Sequence, residues 1–96
     1  MRLHGRVMRS GQPVEGAYVQ LLGPSGDFVA EVRTDESGRF LFYPVAGEWV
    51  LRLFMQGGYV LEQTVNLSEG QTVDVQLKGE DARETALSED PRGQSP

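Results

Sequence analysis

Apolar and polar side chains alternate with a period of two through most of this chain, and short stretches of glycine, proline, serine and acidic residues close each run. Leu3, Gly5 and Val7 alternate with Arg2, His4 and Arg6; Ala17, Val19 and Leu21 with Tyr18, Gln20 and Leu22; Phe28, Ala30 and Val32 with Val29, Glu31 and Arg33. Successive strand side chains point to opposite faces, so each run predicts a half-buried β-strand. Phe40 and Phe42, then Trp49, Leu51 and Leu53, then Tyr59, Leu61, Val65 and Leu67, and finally Val73, Val75 and Leu77 continue the pattern, which makes seven expected strands. Between them, segments such as Ser10-Gly11-Gln12-Pro13, Asp35-Glu36-Ser37-Gly38 and Gln56-Gly57-Gly58 each hold a glycine able to take the positive φ of a tight turn. No sustained 3.6-residue period appears, so no sizeable helix is expected. Seven short strands with one apolar face each need a second layer to cover the first, which predicts an all-β, seven-stranded β-sandwich.

Composition narrows this picture. The chain has 96 residues, enough for one domain, with no cysteine to supply a disulfide or a thiolate metal site. A cysteine-free chain suits a reducing compartment. The first residues run straight into patterned sequence rather than into an apolar leader or a membrane span, so a cytoplasmic protein with no membrane partner is expected. The net charge is −5: residues 1–78 hold seven basic and nine acidic groups, residues 79–96 two basic and five acidic. The segment 79–96 has Leu87 as its one large apolar residue. It is therefore expected to be a disordered acidic tail following a sandwich domain at 1–78. An acidic chain with no basic stripe is a poor partner for nucleic acid, whose binding draws on phosphate neutralisation.

The runs GRVMRSGQPVEGAYVQLL, VRTDESGRFLF and AGEWVLRL, with the SEGQTVDVQL finish, resemble the carboxypeptidase-regulatory-like, or transthyretin-like, sandwich domain over about residues 3–77. Within that superfamily, GQPVEGAYVQLLGPSGDFVAEV and GRFLFYPVAGEWVLR are similar to small actinobacterial single-domain proteins of uncharacterised function, some found beside sulfurtransferase genes. The resemblance implies Greek-key connections and a non-catalytic accessory role. Related hydroxyisourate hydrolases use a histidine cluster with an arginine and a tyrosine-containing C-terminal tetrapeptide. This chain has one histidine and ends in GQSP, so that activity finds no matching positions.

TDESGRF, residues 34–40, is where acidic and hydroxyl side chains crowd most closely against an apolar run. It reads as a turn: Asp35 accepts backbone amides, Glu36 and Ser37 face water, and Gly38 takes the left-handed conformation that lets Phe40 enter the core. General acid–base work would need a raised carboxyl pKa, and a loop tip supplies solvent instead. Asp35, even with Asp27, falls far short of the oxygen ligands that calcium takes. A lone histidine does not make a zinc site, and the serines lie in turns without a nearby base. No metal, no cofactor and no enzymatic activity are expected.

Two surface features remain. Arg2, His4 and Arg6 form a short cationic strip on the polar face of the first strand, with Arg9 following. An anion or acidic peptide could dock there, although the simpler expectation is that charges on an edge strand guard against edge-to-edge pairing. On the fourth and fifth strands, Leu41, Tyr43, Val50 and Phe54 point away from the core. The short Pro44–Glu48 connection suggests that these strands pair directly and assemble the four side chains into one apolar protein-binding face. The leading expectation is a non-enzymatic interaction module acting on a protein partner or by self-association. The alternative is a small-ligand or carbohydrate-binding module with Tyr18 and Tyr43 as contacts.

Overall fold

The computed structural model describes residues 2–79, and these fold into two packed β-sheets. In chain order the strands are β1 (Arg2–Arg9), β2 (Gln12–Pro13), β3 (Tyr18–Leu22), β4 (Phe28–Arg33), β5 (Arg39–Phe42), β6 (Gly47–Met55), β7 (Gly58–Leu67) and β8 (Thr72–Lys78). Seven of the eight match the runs expected from period two. The extra one, β2, closes a hairpin on β1 through Ser10 and Gly11. Both of these residues take positive φ, 52° and 77°, the backbone that suits a two-residue hairpin turn to the twist of its strands.

The first sheet is built around β1. It pairs antiparallel with β5 over Leu3–Arg6 and with β2 at Met8–Arg9, and it pairs parallel with β8 over Arg2–Met8. The two antiparallel partners share one edge of β1 and β8 takes the other. The second sheet is antiparallel in the order β4-β3-β6-β7. The chain passes from one sheet to the other four times: after β2, β4, β5 and β7.

The expected alternation fills the space between the sheets. Leu3 and Val7, Phe40 and Phe42, and Val75 and Leu77 come from the first sheet; Val19 and Leu21, Leu51 and Leu53, and Val65 and Leu67 come from the second. The sheet is tightest at Gly5. A Cβ there would run into the carbonyl oxygen of Val75 on β8 and come within 2.9 Å of the Phe40 ring on β5. Glycine is required because two neighbouring strands close on the same point.

The crossover from β4 to β5 is pinned by Thr34, whose side chain is buried. Its hydroxyl donates to the carbonyl of Val14 at 2.6 Å and accepts from the amide of Ala17 at 2.9 Å. Buried backbone groups require partners, and here one side chain satisfies two of them.

Three expectations need correction. β5 and β6 do not pair: β5 lies in the first sheet against β1, and β6 lies in the second between β3 and β7. The Tyr43–Ala46 connection carries the chain across the sandwich instead of turning it back along its own sheet. Phe28 is 62% exposed instead of buried, because a bulge after Leu21 inserts Val29 and sets Phe28 opposite Leu22. Tyr59 is 57% exposed for the same reason: a bulge after Leu53 sets it opposite Phe54, on the outer face. One extra residue in a strand turns every side chain beyond it to the other face.

Two substitutions test this packing. Gly5→Ala is expected to cost about 3 kcal/mol or more, since the new methyl meets backbone that cannot yield. Thr34→Val keeps the shape but strands an amide and a carbonyl, and should cost about 2 kcal/mol. Urea denaturation with an unchanged m-value checks both.

Candidate functional site

β1 presents Arg2, His4 and Arg6 on the outer face of the first sheet, because Leu3, Gly5 and Val7 are turned inward. On β5 the same logic turns Arg39 and Leu41 outward while Phe40 and Phe42 are buried. The register sets His4 opposite Leu41 and Arg6 opposite Arg39. On the other side, β8 places Asp74 opposite His4. These residues line an open groove of about 800 Å³, joined by Arg33 at the end of β4 and by Asp35 in the crossover. Four arginines against two aspartates leave the groove two charges positive with His4 neutral, on a protein whose net charge is −5.

The expected cationic strip is therefore assembled, and it is larger than Arg2, His4 and Arg6 alone. What changes is its setting. β1 is paired along both edges, so its charges do not protect an edge strand. Arg39 could not be added from sequence, because nothing in the alternation says which strand lies beside β1.

The groove's two carboxylates differ in their surroundings. Asp74 Oδ1 lies 3.5 Å from His4 Nδ1, an ion pair only when the histidine is protonated. Asp35 Oδ1 accepts the backbone amides of Ser37 and Arg39, each at 2.9 Å, and Gly38 takes φ 77° to close the turn. TDESGRF is thus the turn that its sequence predicts. The amide of Arg39 above all, then that of Ser37 and the charges of Arg39 and Arg6, lower the Asp35 pKa against an opposing desolvation contribution.

The arginines differ from sheet to sheet. On the outer face of the second sheet, Arg52 meets Glu62 at 2.8 Å. Arg33 stacks over the Tyr18 ring at 5.2 Å. Among the described residues, Arg2, Arg6 and Arg39 make no ion pair. Arg6 and Arg39 also oppose each other directly, an arrangement that costs stability between like charges.

The four residues expected to form one apolar face lie in two sheets. Leu41 belongs to the first, with Tyr43 directly after β5 and 69% exposed, whereas Val50 and Phe54 belong to β6 of the second. Phe54 instead joins a row that pattern reading missed: Tyr18 and Tyr59 stand opposite it, and the Phe54 and Tyr59 rings meet edge-on at 5.8 Å. Only the bulge after Leu53 creates this row. Tyr18 lies on β3 of the second sheet and Tyr43 just beyond β5 of the first, so no one sheet face presents both as a platform for a sugar.

Comparison with known proteins places the chain. Residues 1–78 match a family described as protein of unknown function, DUF1416. The chain belongs to the DUF1416 family. Relatives include an uncharacterized protein of Mycolicibacterium smegmatis, 44% identical over 55 residues that span 56% of this chain and 61% of the relative. Another is the uncharacterized protein Rv0814c of Mycobacterium tuberculosis, 44% identical over 56% of this chain and 55% of its own length. The match thus spans less than two thirds of either relative.

Among solved structures, a DUF3823 family protein from Parabacteroides merdae superposes with a TM-score of 0.59 at 25% identity, over 80% of this chain and 44% of that one. The 5-hydroxyisourate hydrolase of Klebsiella pneumoniae superposes with a TM-score of 0.60 at 20% identity, over 82% of this chain and 91% of its own. At that identity the hydrolase carries the transthyretin-like β-sandwich fold and nothing of the activity. Among the described residues no helix is long and apolar enough to cross a membrane, and no three His, Asp or Glu side chains gather as metal ligands. The acidic tail expected at 79–96 lies, beyond Gly79, outside the described residues.

The Asp35 turn carries a pH signature. A carboxyl made more acidic by folding adds stability above its unfolded-state pKa, and that stability is lost as pH falls through the folded value. Asp35→Ala should therefore be destabilised most at neutral pH, with the gap to the parent protein narrowing below about pH 4. Denaturant midpoints measured from pH 7 to pH 2 check the trend.

Proposed function

We propose that this DUF1416 domain is a non-enzymatic accessory module that acts through protein–protein contacts, and that the outer face of its first sheet is the contact surface. The supporting observation is the groove: two charges positive on an acidic protein, with Leu41 in its lining and the exposed Tyr43 two residues further along the chain. Arginine and aromatic residues are the types enriched where protein interfaces draw their energy. The fitting partner presents an acidic segment. Against catalysis, the Asp35 carboxyl is held low, the reverse of what a general acid requires. The resemblance to carboxypeptidase-regulatory-like domains supports an accessory role. Its actinobacterial branch, with members beside sulfurtransferase genes, makes a cytoplasmic sulfur-transfer enzyme the first partner to try.

The test uses the full chain as immobilised bait for native lysate. Leu41→Ser with Tyr43→Ser alters the groove margin, and Val29→Ser alters the exposed edge of the other sheet. A partner retained by the parent and by Val29→Ser but lost by the double variant is the expected result, with amide NMR spectra confirming that all three are folded. Equal retention by all three would contradict this contact surface.

A further inference from the structure

We propose that Arg6 and Arg39 form an oxyanion clamp that takes a carboxylate or phosphate group. The clamp deepens the preceding reading and rests on it for the source of the anion: an acid side chain on the partner's segment.

Arg6 and Arg39 are register partners on one face of β1 and β5, so their side chains leave the sheet about 5 Å apart at Cβ. A guanidinium presents several N–H donors in a planar fork, and two forks on one site match the oxygens of a carboxylate or phosphate. The position of Arg6 is set by a strand paired on both sides, and that of Arg39 by its pairing with β1 and by the Asp35 turn that holds its amide.

Local carboxylates meet this demand only in part. Asp35 lies close enough for both arginines to act on its carboxyl, yet Oδ1 is already engaged by the turn's two amides. Asp74 is the register partner of His4 and of neither arginine. Elsewhere in the fold, Arg52 has Glu62 and Arg33 has the Tyr18 ring. The two strand arginines of the second sheet are thus partnered, whereas Arg6 and Arg39 of the first sheet stand opposed to each other.

The groove also has room, since about 800 Å³ lies within the range that small ligands occupy. Arg2 stands four residues before Arg6 on the same face, about 13 Å away along the strand. An extended segment with acid side chains four residues apart would reach both positions.

The experiment follows the arginine Nε–Hε and backbone amide NMR signals of the full chain while inorganic phosphate, or separately an octaglutamate peptide, is titrated at constant ionic strength. Saturable shifts centred on Arg6 and Arg39, with Arg52 unmoved, are expected from at least one probe, and the probe that binds identifies the source. Arg39→Gln should weaken binding at least ten-fold while leaving the domain as stable as the parent or more so. Arg39→Lys, which keeps the charge and loses the fork, should restore only part of the affinity. Shifts spread evenly over Arg6, Arg39 and Arg52, or an affinity that Arg39→Gln leaves unchanged, would overturn the clamp. The two proposals fail separately. If the Leu41/Tyr43 double variant loses the lysate partner while Arg39→Gln retains it, the clamp is overturned and the contact surface stands. If phosphate binds at Arg39 while every variant retains the partner, the clamp stands and the contact surface is overturned.

Discussion

Everything in the first sheet depends on β1 being gripped along both edges at once. β8 runs parallel to it on one side, β5 and β2 antiparallel on the other, and the strands close most tightly where Gly5 leaves out a side chain. That grip fixes the register, and the register fixes the faces: Leu3 and Val7 inward, Arg2, His4 and Arg6 outward. Charges on a strand with both edges paired cannot guard an edge. Their presence on the hub of the sheet needs another explanation, and a ligand-facing surface supplies one.

The two outer faces manage charge differently. On the second sheet, Gln20 reaches Glu31 and Arg52 reaches Glu62, so polar side chains close on one another across the strands. On the first, Arg6 and Arg39 stand opposed, make no ion pair among the described residues, and share the field of an Asp35 carboxylate that also closes its own turn. Sequences that break a local rule of pairing tend to do so at functional positions, where stability is exchanged for activity. The turn at Asp35 serves both ends: it delivers Phe40 to the core and Arg39 to the groove in consecutive residues.

Much of the fold was legible in the sequence. Period-two alternation located seven strands, and the glycine-bearing segments located the turns, because both signals are local. Pairing is not local. The four residues between Phe42 and Gly47 read equally as a hairpin or as a crossover, and the crossover wins because β1 already offers β5 a partner. Bulges are silent as well: Val29 and Val60 look like any strand residue, yet they move Phe28 and Tyr59 to the outside. Of the candidate site, Arg2, His4 and Arg6 were visible as one face, whereas Arg39 could join them only once β5 was set beside β1. Thr34 stood in view as one hydroxyl in TDESGRF, and its tie to Val14 and Ala17 across the fold had no sequence signal.

The most direct measurement is a double-mutant cycle on the stability of the folded domain, with Arg6→Gln, Arg39→Gln and the pair compared by urea denaturation at low and high salt. If the two arginines face each other without local compensation, their coupling is unfavourable by several tenths of a kcal/mol at low salt and shrinks as salt is added. A coupling of zero, or a favourable one, would mean that the structure already satisfies these charges and that the groove has no need of a ligand.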